Sequence, residues 1–177
     1  LITFSWFLAY PLSGPVGSRW VNVHGYKGTL LRGLMVMAIG LALFFVSSWV
    51  TVQFPQAIIG SGKISLHIGF LVFLLGSFIT GASATILQVV INPYLSACSI
   101  KGTQSIQRLA IGGTANSIGT TVAPYFVTGI VFGGLAAEEV SINQIMIPFL
   151  ALTAVILILL SLLSRFSLPD IEGTRNE

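Results

Sequence analysis

An all-α membrane protein with five transmembrane helices is the fold class the sequence predicts, and three observations carry that prediction. Of 177 residues, 54% are hydrophobic and only 7% charged, with a mean hydropathy of +0.94. Soluble domains carry roughly a quarter charged residues. The charges are also confined to positions 19, 27, 32, 63, 101, 108, 138, 139, 165, 170, 172, 175 and 177, leaving uncharged runs at 1–18, 33–62, 64–100, 109–137 and 140–164. A bilayer core of roughly 30 Å takes about 20 helical residues, and every run but the first exceeds that. Finally, the runs are long and do not alternate. Backbone in lipid must satisfy its own hydrogen bonds, so this pattern leaves helices and excludes a β-barrel.

The runs place helices at 1–17, 30–50, 66–97, 111–133 and 144–165, a transmembrane bundle over 1–165 followed by the short segment 166–177. The first helix starts inside apolar sequence at Leu1, with no Met and no basic n-region. That argues against a signal peptide and reads as a cut N-terminus. The second helix (Gly33–Val50) and the fifth (Ile147–Leu163) are almost purely aliphatic and aromatic, which suits a lipid-facing periphery. The third is longer than one straight span requires, and Pro93, which lacks an N–H, frees the carbonyl of Val89 and predicts a kink. The first, third and fourth carry the small and polar residues, among them Ser13, Gly17, Gly76, Ser77, Gly81, Ser83, Gly112, Gly113 and Gly119. Small residues let helices approach closely, so these three are expected in the interior.

Charge gives the orientation. Arg19, Lys27, Arg32, Lys101, Arg108, Arg165 and Arg175 fall in the first and third connections and the tail, whereas the opposite connections hold only Lys63, beside Glu138 and Glu139. The positive-inside rule makes the basic side cytoplasmic and puts the observed N-terminus outside. A helix entering from outside at residue 1 implies a preceding helix that this chain lacks. Lys101 and Arg108 are then expected to contact lipid headgroups, with pairing to another half of the protein as the alternative for Arg108. The net charge of +3 comes from separated loops with no continuous basic patch, which excludes nucleic acid as a partner.

Catalytic and metal chemistry find no constellation. Cys98 is the single cysteine, and no His/Cys cluster has metal-ligand spacing. His24 and His67 lack an acid and a nucleophile partner and read as interfacial. No catalytic residue, cofactor or metal ligand is assigned, and the chain does not read as an enzyme.

The polar residues at membrane depth are amides. Gln88 and Asn92, four residues apart, share a helix face, and Gly112, Gly113, Asn116 and Thr120 line a face of the next helix at the same spacing. An amide in hydrocarbon is costly without a partner. Two readings follow: interhelical glue, at about 0.6 to 2 kcal/mol per bond, or the lining of an aqueous cavity for a neutral, hydroxyl-rich ligand, since amides both donate and accept. Their concentration at similar depth on two helices favours the second.

The segments QVVINPYL and QRLAIGGTANSIGTTVAP resemble the fucose/glucose–galactose permease branch of the major facilitator superfamily, whose pattern runs NPY or NPF, then RLNLA, then NSFGTT or NSLGT and AP. GPVGSRWVNVHGYKGTLLRGL resembles that family's loop between its second and third helices, and LPDIEG the start of its central cytoplasmic linker. The similarity extends from about Gly14 to Gly173. It implies that the five helices are helices 2–6 of a twelve-helix fold, that 166–177 begins the linker, and that helix 1 and the C-terminal half are missing partners.

It further implies transport of a neutral hexose across the inner (plasma) membrane, with Gln88, Asn92, Asn116 and Thr120 holding the sugar and Tyr10 or Tyr94 stacking on its ring. Gln88 stands where the fucose-type permease has a proton-coupling glutamate, Asn116 at its cavity-lining asparagine, and Ala110 in place of the asparagine of RLNLA. The coupling ion, proton or sodium, therefore stays open, as does uncoupled passage. Carriage of another small solute or drug and a truncated, non-transporting fragment are the alternatives.

Overall fold

The computed structural model describes residues 1–60, 65–98, 100–131, 133, 141–168 and 171. Lys63, Glu138, Glu139, Asp170, Glu172 and Arg175, and most of the 166–177 segment expected as a linker, lie outside the described residues.

The described chain is helical apart from one small ladder. Its elements are α1 (Ile2–Gln53), β1 (Ile58–Ile59), β2 (Leu66–His67), α2 (Ile68–Ala97), α3 (Ser105–Phe126), a π-helical extension (Val127–Val131) and α4 (Ile142–Arg165). Three of these, α1, α2 and α4, are long and apolar enough to cross a membrane; α3 falls short of that composition. The helix that carries Asn116 is thus the least apolar one, because glycine, threonine and amide replace aliphatic residues along it.

At 52 residues, a straight α1 would run about 78 Å, more than twice a bilayer core. It does not run straight. Gly25 takes φ 71°, ψ 177°, a conformation open essentially to glycine alone. The contacts on either side show that the chain reverses there. Trp6 lies against Gly81 and Gly17 against Ile86; beyond the break Gly33 lies against Leu87, and Gly40 against Thr80. The first arm therefore runs along α2 in the same direction and the second runs back. Helical residues fill most of the connection expected between residues 17 and 30, and the turn shrinks to the neighbourhood of Gly25, where the Thr29 hydroxyl donates to the Gly25 carbonyl at 2.8 Å.

Both arms pack on α2 through small residues and serine hydroxyls. Ser83, fully buried, donates to the Gly33 carbonyl at 2.9 Å. Ser5 donates to Leu74 O at 2.7 Å, and Ser47 to Gly69 O at 2.6 Å. A Cβ on Gly40 would stand 2.9 Å from Thr80 N and meet its hydroxyl, so only a missing side chain allows this approach. The second arm was expected at the periphery for its apolar character, yet it buries Gly33, Leu34, Ala38, Gly40, Phe44, Ser47 and Ser48. Periodic small residues inside an aliphatic helix mark a packed face that average hydropathy hides.

At the far end of the seam, β1 and β2 pair antiparallel, Ile58 with His67 and Ile59 with Leu66. His67 starts α2 by accepting the Gly69 N–H on Nδ1 at 2.9 Å. Its Nε2, 3.0 Å from Phe54 O, then carries the ring hydrogen and donates to that carbonyl, at the cap of α1. α4 leans on the second arm of α1 through Phe149 and Phe44, ring centroids 5.2 Å apart, and buries none of its own residues.

The Gly25 end gathers the other termini. Tyr26 meets Tyr94 near the end of α2, with centroids 5.8 Å apart. Lys27 Nζ donates to Ser164 O in the last turn of α4 at 3.2 Å, where the exposed carbonyls and the helix dipole favour a cation. Lys27, Arg108 and Arg165 thus stand at one end of the bundle.

Candidate functional site

The candidate site lies where α2 turns into α3. α3 begins at Ser105, six residues before the start predicted from the uncharged run, because Gln104 and Gln107 form a capping box: each side chain accepts the other residue's backbone N–H. Arg108, half-buried, folds back onto the last turn of α2 instead of pointing at lipid. Its Nε donates to Leu95 O at 2.8 Å and one terminal nitrogen to Ser96 O at 2.8 Å; the other reaches Thr103 O at 2.9 Å and Thr103 Oγ1 at 3.1 Å. The hydroxyls of Ser96 and Ser105 share a 2.8 Å hydrogen bond across the same junction. One turn further along α3, Gly112 meets Leu95 so closely that a Cβ there would stand 2.8 Å from Leu95 Cδ1.

This junction fixes where the sequence-predicted residues stand. Asn116 and Thr120 follow Gly112 at intervals of four and share its face; on α2, Asn92 and Gln88 precede Leu95 by three and seven residues. Counting outward from the Leu95–Gly112 contact along two helices that leave one junction puts Asn92 and Gln88 at depths similar to Asn116 and Thr120. Gln88, Asn92, Asn116 and Thr120 are all exposed. Among the described residues, no hydrogen bond holds the side-chain amide of Gln88, Asn92 or Asn116, and none joins the two helices at their level. Among the described residues, the side-chain hydrogen bonds between helices come from serines, Lys27 and Arg108 rather than from these amides.

The remaining polar groups of α3 are turned inward on their own helix. Thr114 donates to Ala110 O, Thr120 to Asn116 O and Ser117 O, and Thr121 to Ser117 O, at 2.8 to 3.1 Å. Each hydroxyl proton is thereby used, and the outward lone pairs remain as acceptors. A shallow groove runs beside the Asn116 face, lined by Gly113, Thr114, Ser117 and Thr121 with Ile118 and Val122. Gly113 and Gly112, adjacent in sequence, thus part company: one borders open space and the other packs.

The two tyrosines differ. Tyr10 is half-buried on the first arm, its ring 5.9 Å from that of Phe7. Tyr94 stands one turn from the end of α2 with its ring on Tyr26, close to the basic end and away from the level of Gln88. Beyond Phe126 the chain winds into a π-helix, Val127–Val131, after Pro124 removes one N–H from the ladder; the extension was not foreseen in the helix expected over 111–133. Among the described residues, no group of three or more His, Cys, Asp or Glu could hold a metal.

No family model matches the chain. Over 176 residues, 97% of its length, it is 29% identical to the glucose/galactose transporters of two strains of Brucella abortus, biovar 1 strain 9-941 and strain 2308, and spans 38% of each. The chain thus spans about two fifths of the length of the curated relatives it matches. Its fold is that of part of the Escherichia coli fucose:proton symporter: the crystal structure superposes with a TM-score of 0.75 over 99% of this chain and 43% of that one, at 17% identity. The resemblance read from the NPY and NSIGTT motifs therefore holds along nearly the whole chain, and the proteins it resembles are transporters, not enzymes.

Proposed function

We propose that the chain forms five of the crossings of a sugar transporter: the two arms of α1, then α2, α3 with its π-helical extension, and α4, corresponding to helices 2–6 of a twelve-helix major facilitator fold. Their side of the bilayer follows from Lys27, Arg108 and Arg165 at one end, which the positive-inside rule makes cytoplasmic in an inner membrane. The N-terminus of the chain is then external. Helix 1 and a second half complete the cavity, and the two halves rock about a midplane site to expose it to each side in turn.

One observation carries the reading: Gln88, Asn92 and Asn116 are exposed at matching depth without a partner among the described residues. Bare amides facing lipid are expensive; amides facing a wet cavity cost little and hold hydroxyls well. The ligand is a neutral hexose of the glucose, galactose or fucose type. Its hydroxyls donate to and accept from the three amides and donate to the acceptor-only oxygen of Thr120, while Tyr10 offers a ring face. Gln88 is a sugar ligand but cannot carry a proton, so any coupling group, for a proton or for sodium, lies elsewhere.

Uptake of labelled glucose, galactose and fucose by the full-length gene product tests this. Gln88→Ala and Asn116→Ala are each expected to cut uptake about tenfold or more, the equivalent of one well-formed ligand hydrogen bond, at unchanged membrane abundance. Normal uptake by both variants sinks the assignment.

A further inference from the structure

We propose that Arg108 is a positioning residue that sets the depth of Asn116 and Thr120 against Gln88 and Asn92. The inference rests on the sugar-site reading above, and three features of the junction lead to it.

The first is that α3 buries none of its described residues. The dense small-residue packing that holds α1 to α2 is absent here, so among the described residues the junction is what ties α3 to α2. The second is the number and direction of the bonds. One guanidinium reaches Leu95 O and Ser96 O on α2 and Thr103 on the connecting turn. The last carbonyls of a helix have no intrahelical partner and carry the negative end of its dipole. A planar, always-charged fork of five donors satisfies them together; an ammonium on a flexible stem cannot hold the same three groups at once. The third is the lever. From Arg108 to Asn116 is eight residues of helix, about 12 Å, and from Leu95 back to Gln88 seven residues, about 10.5 Å. A slip or tilt at the junction therefore moves Asn116 and Thr120 relative to both α2 amides together.

A membrane-surface charge and a positioning clasp make opposite demands on the residue. Lysine serves the first as well as arginine and fails at the second. The test uses the full-length gene product, in lipid nanodiscs with Cys98→Ser and spin labels at Leu75 on α2 and Ile118 on α3 for the distances, and unlabelled in proteoliposomes for uptake of the probe sugars glucose, galactose and fucose. Expected results are a single narrow distance distribution for the parent, broadened or displaced by about one helical turn, roughly 5 Å, in both Arg108→Ala and Arg108→Lys. KM for uptake is expected to rise about tenfold in both, with abundance retained in Arg108→Lys. Asn116→Ala is expected to lose uptake with the parent's distance distribution. Recovery of the parent distances and KM by Arg108→Lys, or an unchanged distribution in Arg108→Ala, overturns the proposal. Absence of uptake of every probe sugar by the parent overturns the sugar reading instead, and the distance measurement then still decides whether Arg108 fixes α3.

Discussion

The seam between α1 and α2 and the surface of α3 are built from the same residue types and do opposite things with them. In the seam, glycines are where backbones touch and serine hydroxyls cross from one helix to the carbonyls of the other. On α3, Gly113 and Gly119 meet nothing within 4 Å, and the threonine hydroxyls bond back to their own helix as those of Thr80 and Thr85 do in the seam, with no serine crossing at the level of Asn116 among the described residues. Glycine, serine and threonine are therefore not a packing signature in themselves. They permit close approach, and only the neighbouring element decides whether a helix or a ligand makes that approach.

The largest expected effect on that contrast comes from Gly40→Leu. Overpacking the seam against Thr80 is expected to destabilise by about 3 kcal/mol, read as a lowered thermal midpoint in nanodiscs; an unchanged midpoint breaks the claim that the seam is close-packed there. Ser83→Ala removes one buried interhelical bond and is expected to cost about 1 kcal/mol in the same measurement. Gly113→Ala should go the other way, stabilising by about 0.5 kcal/mol, since an exposed helical glycine loses only backbone entropy. A clear destabilisation would mean that a helix covers Gly113 after all. Asn116→Ala is expected to leave the midpoint within about 0.5 kcal/mol of the parent while uptake falls. A matching drop in both would return the amide to the role of glue.

Much of this was legible in the residues. The helical class follows from charge spacing and the likeness to transporters from the motifs, whereas the reversal narrows to Gly25 inside a connection expected between residues 17 and 30. The interior and peripheral helices were not legible. Gly33 and Gly40, with Ser47 and Ser48, sit in a run whose average is aliphatic, and average character conceals a one-sided stripe. α3, expected in the interior for its small residues, meets α2 among the described residues only around their junction, at Arg108 and Gly112. The starts expected at 111 and 144 lie after those observed, Ser105 and Ile142, because charge spacing bounds an apolar run without marking a helix N-terminus. The capping pairs Gln104–Gln107 and Ser141–Gln144 were the better signal, since they satisfy the first backbone N–H groups wherever the apolar stretch begins. Charge alone sends Arg108 to the lipid surface; its hydrogen-bond fork, matched to the free carbonyls of Leu95 and Ser96, is the property that matters.

The reversal at Gly25 also bears on how the protein is made. On the crossings proposed above, two apolar arms joined by so short a turn, flanked by Arg19, Lys27 and Arg32, would enter the membrane together as one helical hairpin, with the basic turn held back on the cytoplasmic side. A substitution that stiffens residue 25 would then act during synthesis, as a failure of membrane topology, before any folded protein exists to be destabilised.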